Sequence, residues 1–504
     1  MRNQGLGSWP ARRARSTPYA VATVYRGRER TYARLRDRVH ALAHGLRGHG
    51  VGHGDRVAYL GPNHPAFLET LFAVGALGAV FVPLNTRLSG SELAFMLADS
   101  GSLVLIHDER YADTARALQH GHPGLRLFSV AEDATGGDVE ELIAASPTEP
   151  LDEVVGADDS AIILYTSGTT GRPKGARISH GNAIWNALNV VVDIDLTSSE
   201  VTLLNAPLFH TAALGMTCLP TLLKGGTVVL ENAFDVETTL DLIERRRITL
   251  AFGVPTMFDA LSRSPRWADA DLSSLRFLLC GGAPIPEELI RRYRERGLTF
   301  MQGYGMTEAA PGVLLLSAAD SPYKIGSAGK PAFFTDVRLE TGDGTGADVG
   351  EPGEVLVHGP NVVDGYWQRP EATGDSFTAG GWFRSGDVAT VDADGFYRIV
   401  DRVKDMFISG GENVYPAEIE AVLHEHPAVL DAAVVGIPDP AWGEVGKALV
   451  VIHRANGTDP AEVRAFAAER LAKYKVPKSV ELVDELPRNA VGKLDKTAIR
   501  RDHL

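Results

Sequence analysis

The sequence predicts an α/β protein. It has a large N-terminal lobe of layered sheets and helices, a β-rich subdomain, and a small α+β C-terminal domain. Three observations carry this. Short β-rich runs alternate with helical patterns through most of the chain, as in largely parallel sheets covered by helices. From about Asp336 the texture changes to strands spaced by Gly-rich turns. After Arg402 comes a compact unit that begins and ends with a helix.

Taken in order, Asp55–Leu60 reads as a strand, Ala66–Leu77 as a helix and Ala79–Pro83 as a strand. Gly90–Asp99 follows as a helix and Leu103–His107 as a strand. Leu203–Ala206, Thr227–Leu230, Leu250–Gly253 and Phe277–Leu279 continue the strands, with a helix over Asp235–Arg246. The β-rich stretch offers Val337–Glu340, Gly353–His358 and Phe396–Ile399. The last unit reads as a helix Pro416–His424, strands Val429–Val435 and Ala448–His453, and a helix Pro460–Ala472. The expected domains are therefore 1–401, with the β-rich subdomain over about 336–401, and 402–504.

Composition narrows the function. The chain has 504 residues, 44% hydrophobic and 23% charged, which supplies ample core and excludes wholesale disorder. A net charge of −14 argues against a general nucleic-acid binder. Cys218 and Cys280 are the two cysteines, too few for a disulfide framework or a zinc site of Cys pairs, and a reducing cytoplasm fits. Arg2, Arg12, Arg13 and Arg15 are not followed by the apolar run that a secretory signal needs. The window Ala66–Leu84 approaches membrane-spanning length. Glu69, Gly75, Gly78 and Pro83 interrupt it, so a buried helix followed by a buried strand is the better reading, with no integral membrane segment.

Chemistry enters at Tyr165-Thr-Ser-Gly-Thr-Thr-Gly-Arg-Pro-Lys-Gly175, which follows the apolar run Ala161–Leu164. A strand thus delivers a loop of hydroxyls, glycines and one lysine. Glycines let backbone N–H groups converge on an anion, hydroxyls add donors, and Lys174 adds charge. No Ser or Thr follows the lysine, so this is not a Walker A loop. The residues singled out are Thr166, Ser167, Gly168, Thr169, Thr170, Gly171 and Lys174.

Further motifs follow. They are Pro207-Leu-Phe-His-Thr211, Gly281-Gly-Ala-Pro284, Gln302-Gly-Tyr-Gly-Met-Thr-Glu308 and Trp382-Phe-Arg-Ser-Gly-Asp387. Then come the run Asp401–Pro416 and Pro487-Arg-Asn-Ala-Val-Gly-Lys493. In this order they resemble the acyl-adenylate-forming superfamily of acyl-CoA synthetases, peptide-synthetase adenylation domains and beetle luciferases. The texture is most similar to bacterial fatty-acyl-CoA synthetases, and the resemblance covers essentially the whole chain.

The resemblance implies activation of a carboxylic acid, expected to be a medium- or long-chain fatty acid, by ATP and Mg²⁺ to an acyl-adenylate. Transfer to CoA then follows. Loading of a carrier protein, an aryl-acid substrate, and a catalytically silent nucleotide-binding regulator are the alternatives. A carboxylate resists attack because it is already an anion, so a mixed anhydride with AMP is made first. That step needs alignment and charge neutralisation more than proton transfer.

The resemblance also implies roles. Glu308 would be the Mg²⁺ ligand, as a carboxylate suits a hard cation. Thr307 would meet the α-phosphate. Gly282, Ala283 and Pro284 would line the adenine, and Tyr304 would stack on it within Gln302, Gly303, Gly305 and Met306. Asp387 and Arg402 would hold the ribose. Lys493 would bridge substrate carboxylate and α-phosphate, a task suited to a point charge on a flexible stem. Lys404 matches the hinge, whose rotation would make the C-terminal domain mobile, withdraw Lys493 and bring up Gly410 and Gly411 for a pantetheine arm. His210 would gate the acyl pocket. Its expected lining is Ala212, Ala213, Leu214, Phe252, Gly253, Val254 and Gly281, with Gly305 leaving depth.

Overall fold

The computed structural model describes residues 2–166, 173–282, 285, 287–402, 407–414, 416–453, 457–487 and 496–503. The chain divides into two compact units. The first takes most of it up to Asp401; the second gathers the chain from Arg402 onward with Arg87–Met96 and the segment Tyr165–Lys174. The fold is mixed α/β, with large N-terminal sheets and a smaller C-terminal domain.

The first sheet has six strands in the order Arg126–Val130, Val104–Asp108, Arg56–Leu60, Val80–Leu84, Ser160–Thr166, Lys174–Ser179. Its first five strands pair in parallel. The second sheet has nine strands. Six of them run parallel in the order Phe300–Gly305, Phe277–Gly281, Leu250–Gly253, Val201–Leu204, Thr227–Leu230, Val21–Tyr25. The hairpin partner Arg28–Thr31 closes one edge, and Gly312–Leu316 with Lys330–Pro331 close the other, antiparallel. One core joins the two sheets. It contains Phe81, Ile162 and Leu164 from the first, Leu204, Leu250 and Leu279 from the second, and Leu42, Phe72 and Ala187 from helices.

The apolar window read as helix then strand is the helix Pro65–Ala76 and the strand Val80–Leu84, buried throughout. Among the described residues no helix is long and apolar enough to cross a membrane. Glu69 enters this interior because it is paired. Arg30 reaches its Oε1 at 2.8 Å, while Arg38 reaches Oε1 at 2.6 Å and Oε2 at 2.9 Å. Burial alone would raise its pKa, but the two guanidiniums outweigh it and hold the carboxyl at about 2.

The β-rich stretch is a four-stranded sheet, Asp336–Glu340, Gly353–His358, Phe383–Val391, Tyr397–Arg402. The last strand starts later and runs further than Phe396–Ile399. The C-terminal sheet has five strands, and its longest pairing is antiparallel, between Val429–Asp439 at one edge and Gly443–Ile452. These extend past Val429–Val435 and start before Ala448. Pro440, Ala441 and Trp442 make the hairpin turn, and the ladder runs up to it through Gly436, Pro438 and Asp439, residues that read as turn in sequence. The helix Pro416–His424 falls where expected, and Pro460–Ala468 ends four residues before Ala472.

Several helices escaped the sequence reading, and two of them frame the sheets. Tyr32–Gly48 buries Leu35, Val39, Leu42 and Leu46, spaced for one helical face. His180–Asp193 begins directly after the strand that leaves the phosphate loop. Its start is fixed by a capping box, in which Ser179 Oγ accepts from Asn182 N–H and Asn182 Oδ1 accepts from Ser179 N–H.

Candidate active site

In open parallel sheets, ligands gather outside the carboxyl ends of the strands. The neighbouring strands ending at Leu204, Gly253, Gly281 and Gly305 present those ends on one edge of the nine-stranded sheet. The motifs Pro207–Thr211, Gly281–Pro284 and Gln302–Glu308 begin there. Topology therefore converges what the sequence lists apart.

Gly281 stands where a Cβ would come within 3.0 Å of the Gly303 carbonyl oxygen, so strand pairing itself excludes a side chain. Gly282 takes φ +83, a conformation that favours glycine. At Gly305 a Cβ would lie 1.8 Å from the Pro311 carbonyl oxygen. Close approach of two backbone segments is what demands this glycine. Gln302 is buried, and its Nε2 has no hydrogen-bond partner among the described residues. A buried donor left unpaired costs about 1–3 kcal/mol, so it marks a place for an acceptor.

Tyr304 and Asp387 come together, the phenol donating to Asp387 Oδ2 at 2.7 Å. Asp387 is buried in the strand Phe383–Val391. One carboxylate oxygen accepts from Tyr304, and a carboxylate has further acceptor capacity for hydroxyls. Thr307 and Glu308 start the short turn Thr307–Ala309, just after Met306. Glu308 Oε1 accepts from the Tyr366 hydroxyl at 2.8 Å.

His210 precedes the turn Thr211–Ala213, and its ring lies 4.9 Å from that of Phe209. The chain continues as a π-helical segment, Leu214–Cys218, then the helix Leu219–Lys224. Such widened turns are frequent at functional sites. Ala213, Leu214, Phe252 and Gly281 are buried; Ala212 and Val254 are half-buried. An apolar cavity adjoins Phe252 and is lined also by Leu240, Met257, Phe258, Leu278 and Asn205.

In the second unit, Thr166 Oγ1 donates to the Lys174 carbonyl at 3.4 Å. Gly410 and Gly411 take φ +59 and +82, and a Cβ on Gly410 would lie 2.6 Å from the Trp442 ring. Space for that indole is the local reason for the glycine. Arg402 ends the strand Tyr397–Arg402. Ser167, Gly168, Thr169, Thr170, Gly171, Ala283, Pro284, Lys404 and Lys493 lie outside the described residues.

Three asparagines that sequence reasoning missed hold these loops. Asn63 donates to the Leu204 and Ala206 carbonyls and accepts from Leu208 N–H, fixing the run into His210. Asn186 donates to the Gly215 carbonyl in the π segment and accepts from Gly312 N–H, both at 2.9 Å. Asn361 donates to the Ala309 and Gly312 carbonyls at 2.8 and 2.9 Å. No local pattern marks them, because their partners are remote in sequence.

The donor set suits a hard cation. Glu308 and Thr307 offer only oxygen, and the described residues hold no cluster of three His, Cys, Asp or Glu that could cage a metal. Mg²⁺ commonly takes one or two carboxylates and completes its shell with nucleotide oxygens and water, so the residues fit it.

An α/β fold with loops gathered at the strand ends, a buried carboxylate at Asp387 and an all-oxygen donor set suits an enzyme that binds a nucleotide with a divalent cation. Comparison with known proteins gives the family. The AMP-binding enzyme profile matches residues 10–367 and the AMP-binding enzyme C-terminal domain profile residues 418–493. The chain belongs to the AMP-binding enzyme family. It is 58% identical over 501 residues to a feruloyl-CoA synthase of Amycolatopsis sp, covering 99% of both chains. It is 41% identical over 498 residues to an indoleacetate–CoA ligase of Aromatoleum aromaticum, covering 98% of both. Among solved structures it is similar to a double mutant of o-succinylbenzoate CoA synthetase from Bacillus subtilis bound with a product analogue. That likeness has TM-score 0.88 and 36% identity over 98% of each chain. The chain is thus an AMP-forming acid–CoA ligase that uses ATP, Mg²⁺ and CoA.

Proposed function

We propose that the acid is aromatic, of the hydroxycinnamate kind, rather than a long alkyl chain. The observation that carries this is the 58% identity to feruloyl-CoA synthase over 99% of both chains. The indoleacetate and o-succinylbenzoate relatives also act on acids with an aromatic ring, by their names. Small side chains at Ala212, Ala213, Gly253 and Gly281 suit a flat ring.

In the mechanism proposed, a substrate carboxylate oxygen attacks the α-phosphorus of ATP and pyrophosphate leaves. Bound Mg²⁺ supplies charge neutralisation on the phosphates; Glu308 would hold it, and Thr307 would meet the α-phosphate. Thr166, Ser167, Gly168, Thr169, Thr170, Gly171 and Lys174 cradle phosphate oxygens. Asp387 and Arg402 orient the ribose. Gly282, Ala283, Pro284 and the Gln302–Met306 strand end, including Tyr304, face the base. Lys493 bridges the carboxylate and the α-phosphate. The CoA thiolate then attacks the acyl carbonyl and AMP leaves, with Lys404 as hinge, Gly410 and Gly411 on the pantetheine side, and His210 beside the acyl group.

The test is acid-dependent pyrophosphate release followed by thioester formation, across ferulate, indoleacetate and fatty acids of graded length. Aromatic acids should exceed every fatty acid by about tenfold or more in kcat/KM, the discrimination expected of a shaped apolar pocket. A fatty acid preferred by that margin would contradict the proposal. Turnover with a holo carrier protein and none with CoA would contradict the acceptor.

A further inference from the structure

The segment Asn361–Trp367 belongs to none of the motifs that carried the sequence reading, yet it touches two of them. On one side it meets the turn bearing Glu308. Val363 N–H donates to the Glu308 carbonyl at 2.8 Å, and the Tyr366 hydroxyl donates to Glu308 Oε1 at 2.8 Å. Asn361 holds the Ala309 and Gly312 carbonyls of the same turn. On the other side it meets the strand that leaves the phosphate loop. Trp367 N–H donates to the Gly175 carbonyl at 2.7 Å and Arg177 N–H to the Gly365 carbonyl at 3.1 Å. Tyr366 itself bridges Ala176, and Arg177 pairs with Asp364.

The bend that turns Tyr366 inward needs Gly365. Its φ is +152, and a Cβ would lie 2.4 Å from the Thr373 side chain. Tyr366 N–H donates to that threonine's hydroxyl at 3.0 Å. The backbone of residue 366 is therefore fixed from two directions, leaving the phenol as the group aimed at Glu308.

We propose that Tyr366 is a positioning residue for the Glu308 carboxylate. Its hydroxyl sets the carboxylate's orientation before Mg²⁺ and nucleotide arrive, and its backbone ties that orientation to the strand leaving the phosphate loop. A carboxylate already oriented loses less freedom on taking up a cation, and outer partners of this kind tune metal affinity. The inference rests on reading Glu308 as the Mg²⁺ ligand.

The experiment is calorimetric titration of ATP into the full-length protein at a series of Mg²⁺ concentrations, without acid substrate, comparing wild type, Tyr366→Phe and Glu308→Gln. Phenylalanine keeps the ring and every backbone contact of residue 366, and the thermal midpoint checks the fold. Tyr366→Phe should raise the Mg²⁺ concentration for half-maximal ATP binding about tenfold, as loss of such a partner does. ATP binding in EDTA should stay within twofold, and thioester formation from a supplied aryl-adenylate is the control for the second half-reaction. An unchanged Mg²⁺ midpoint overturns the proposal. So does a fall in ATP binding of equal size with and without Mg²⁺, which a merely structural role would give. If Glu308→Gln leaves the Mg²⁺ midpoint unchanged, the ligand reading falls and the proposal with it. The aromatic-acid reading stands or falls separately, on the acid panel.

Discussion

At the scale of single residues, the site depends on side chains that satisfy backbone rather than touch substrate. Asn361 is fully buried and serves two carbonyls of the Glu308 turn. Asn361→Ala would strand both. Unmet buried acceptors cost about 1–3 kcal/mol each, so the variant should show a clearly lower thermal midpoint and slower pyrophosphate release. An unchanged midpoint would show that the turn does not need this clamp. The contrast with the motif residues explains what was legible. Thr307, Glu308, Asp387 and Lys174 stand in short runs whose residue types announce phosphate and cation chemistry. Asn63, Asn186, Asn361 and Tyr366 act through partners tens to more than a hundred residues away, so no local window contains the signal. Gly305 was legible as special, but the constraint from the Pro311 carbonyl opposite it was not, because strand pairing across a turn leaves no local signal.

At the scale of elements, two buried neutral histidines each accept the backbone N–H at the start of a helical segment. His64 Nδ1 accepts from Ala66 N–H at 3.0 Å, capping Pro65–Ala76, and His180 Nδ1 accepts from Leu6 N–H at 3.1 Å. Both need Nδ1 unprotonated. Burial lowers His64 to about 4 and His180 to about 4, only partly opposed by Glu69 and Asp159 respectively. The unfolded chain therefore takes up these protons first as pH falls below about 6.5. Stability should be full above that value and fall between about 6.5 and 4. Glu69, held at about 2, adds a loss between about 4.5 and 2. Thermal midpoints from pH 8 to 5 should drop, and His180→Asn should flatten the slope below pH 6.5. A midpoint independent of pH over that range would contradict this. Strand and helix type were readable along Arg56–Asp108, and strand type at Leu250–Gly253 and Phe277–Gly281. The ends were not, because hairpin pairing, as in Val429–Asp439 with Gly443–Ile452, extends ladders through residues whose composition reads as turn.

At the scale of the whole molecule, the division at Asp401 and Arg402 puts Tyr304, Glu308 and Asp387 in one unit and the described chain beyond in the other. The proposed division of labour follows. Lys493→Ala should abolish acid-dependent pyrophosphate release while thioester formation from supplied aryl-adenylate continues near the wild-type rate. Adenylation surviving near the wild-type rate would reassign that lysine. A charge of −14 is compatible with polyanionic substrates because the cations that matter are placed singly: 11 lysines serve a 504-residue chain, and Lys174 and Lys493 fall in its motifs. The proposed reaction is activation of an aromatic acid through its adenylate. Its most direct measurement is kcat/KM for CoA thioester formation with ferulate beside a long-chain fatty acid, under one set of conditions. Ferulate should lead by about tenfold or more; a fatty acid ahead by that margin would contradict an aromatic substrate.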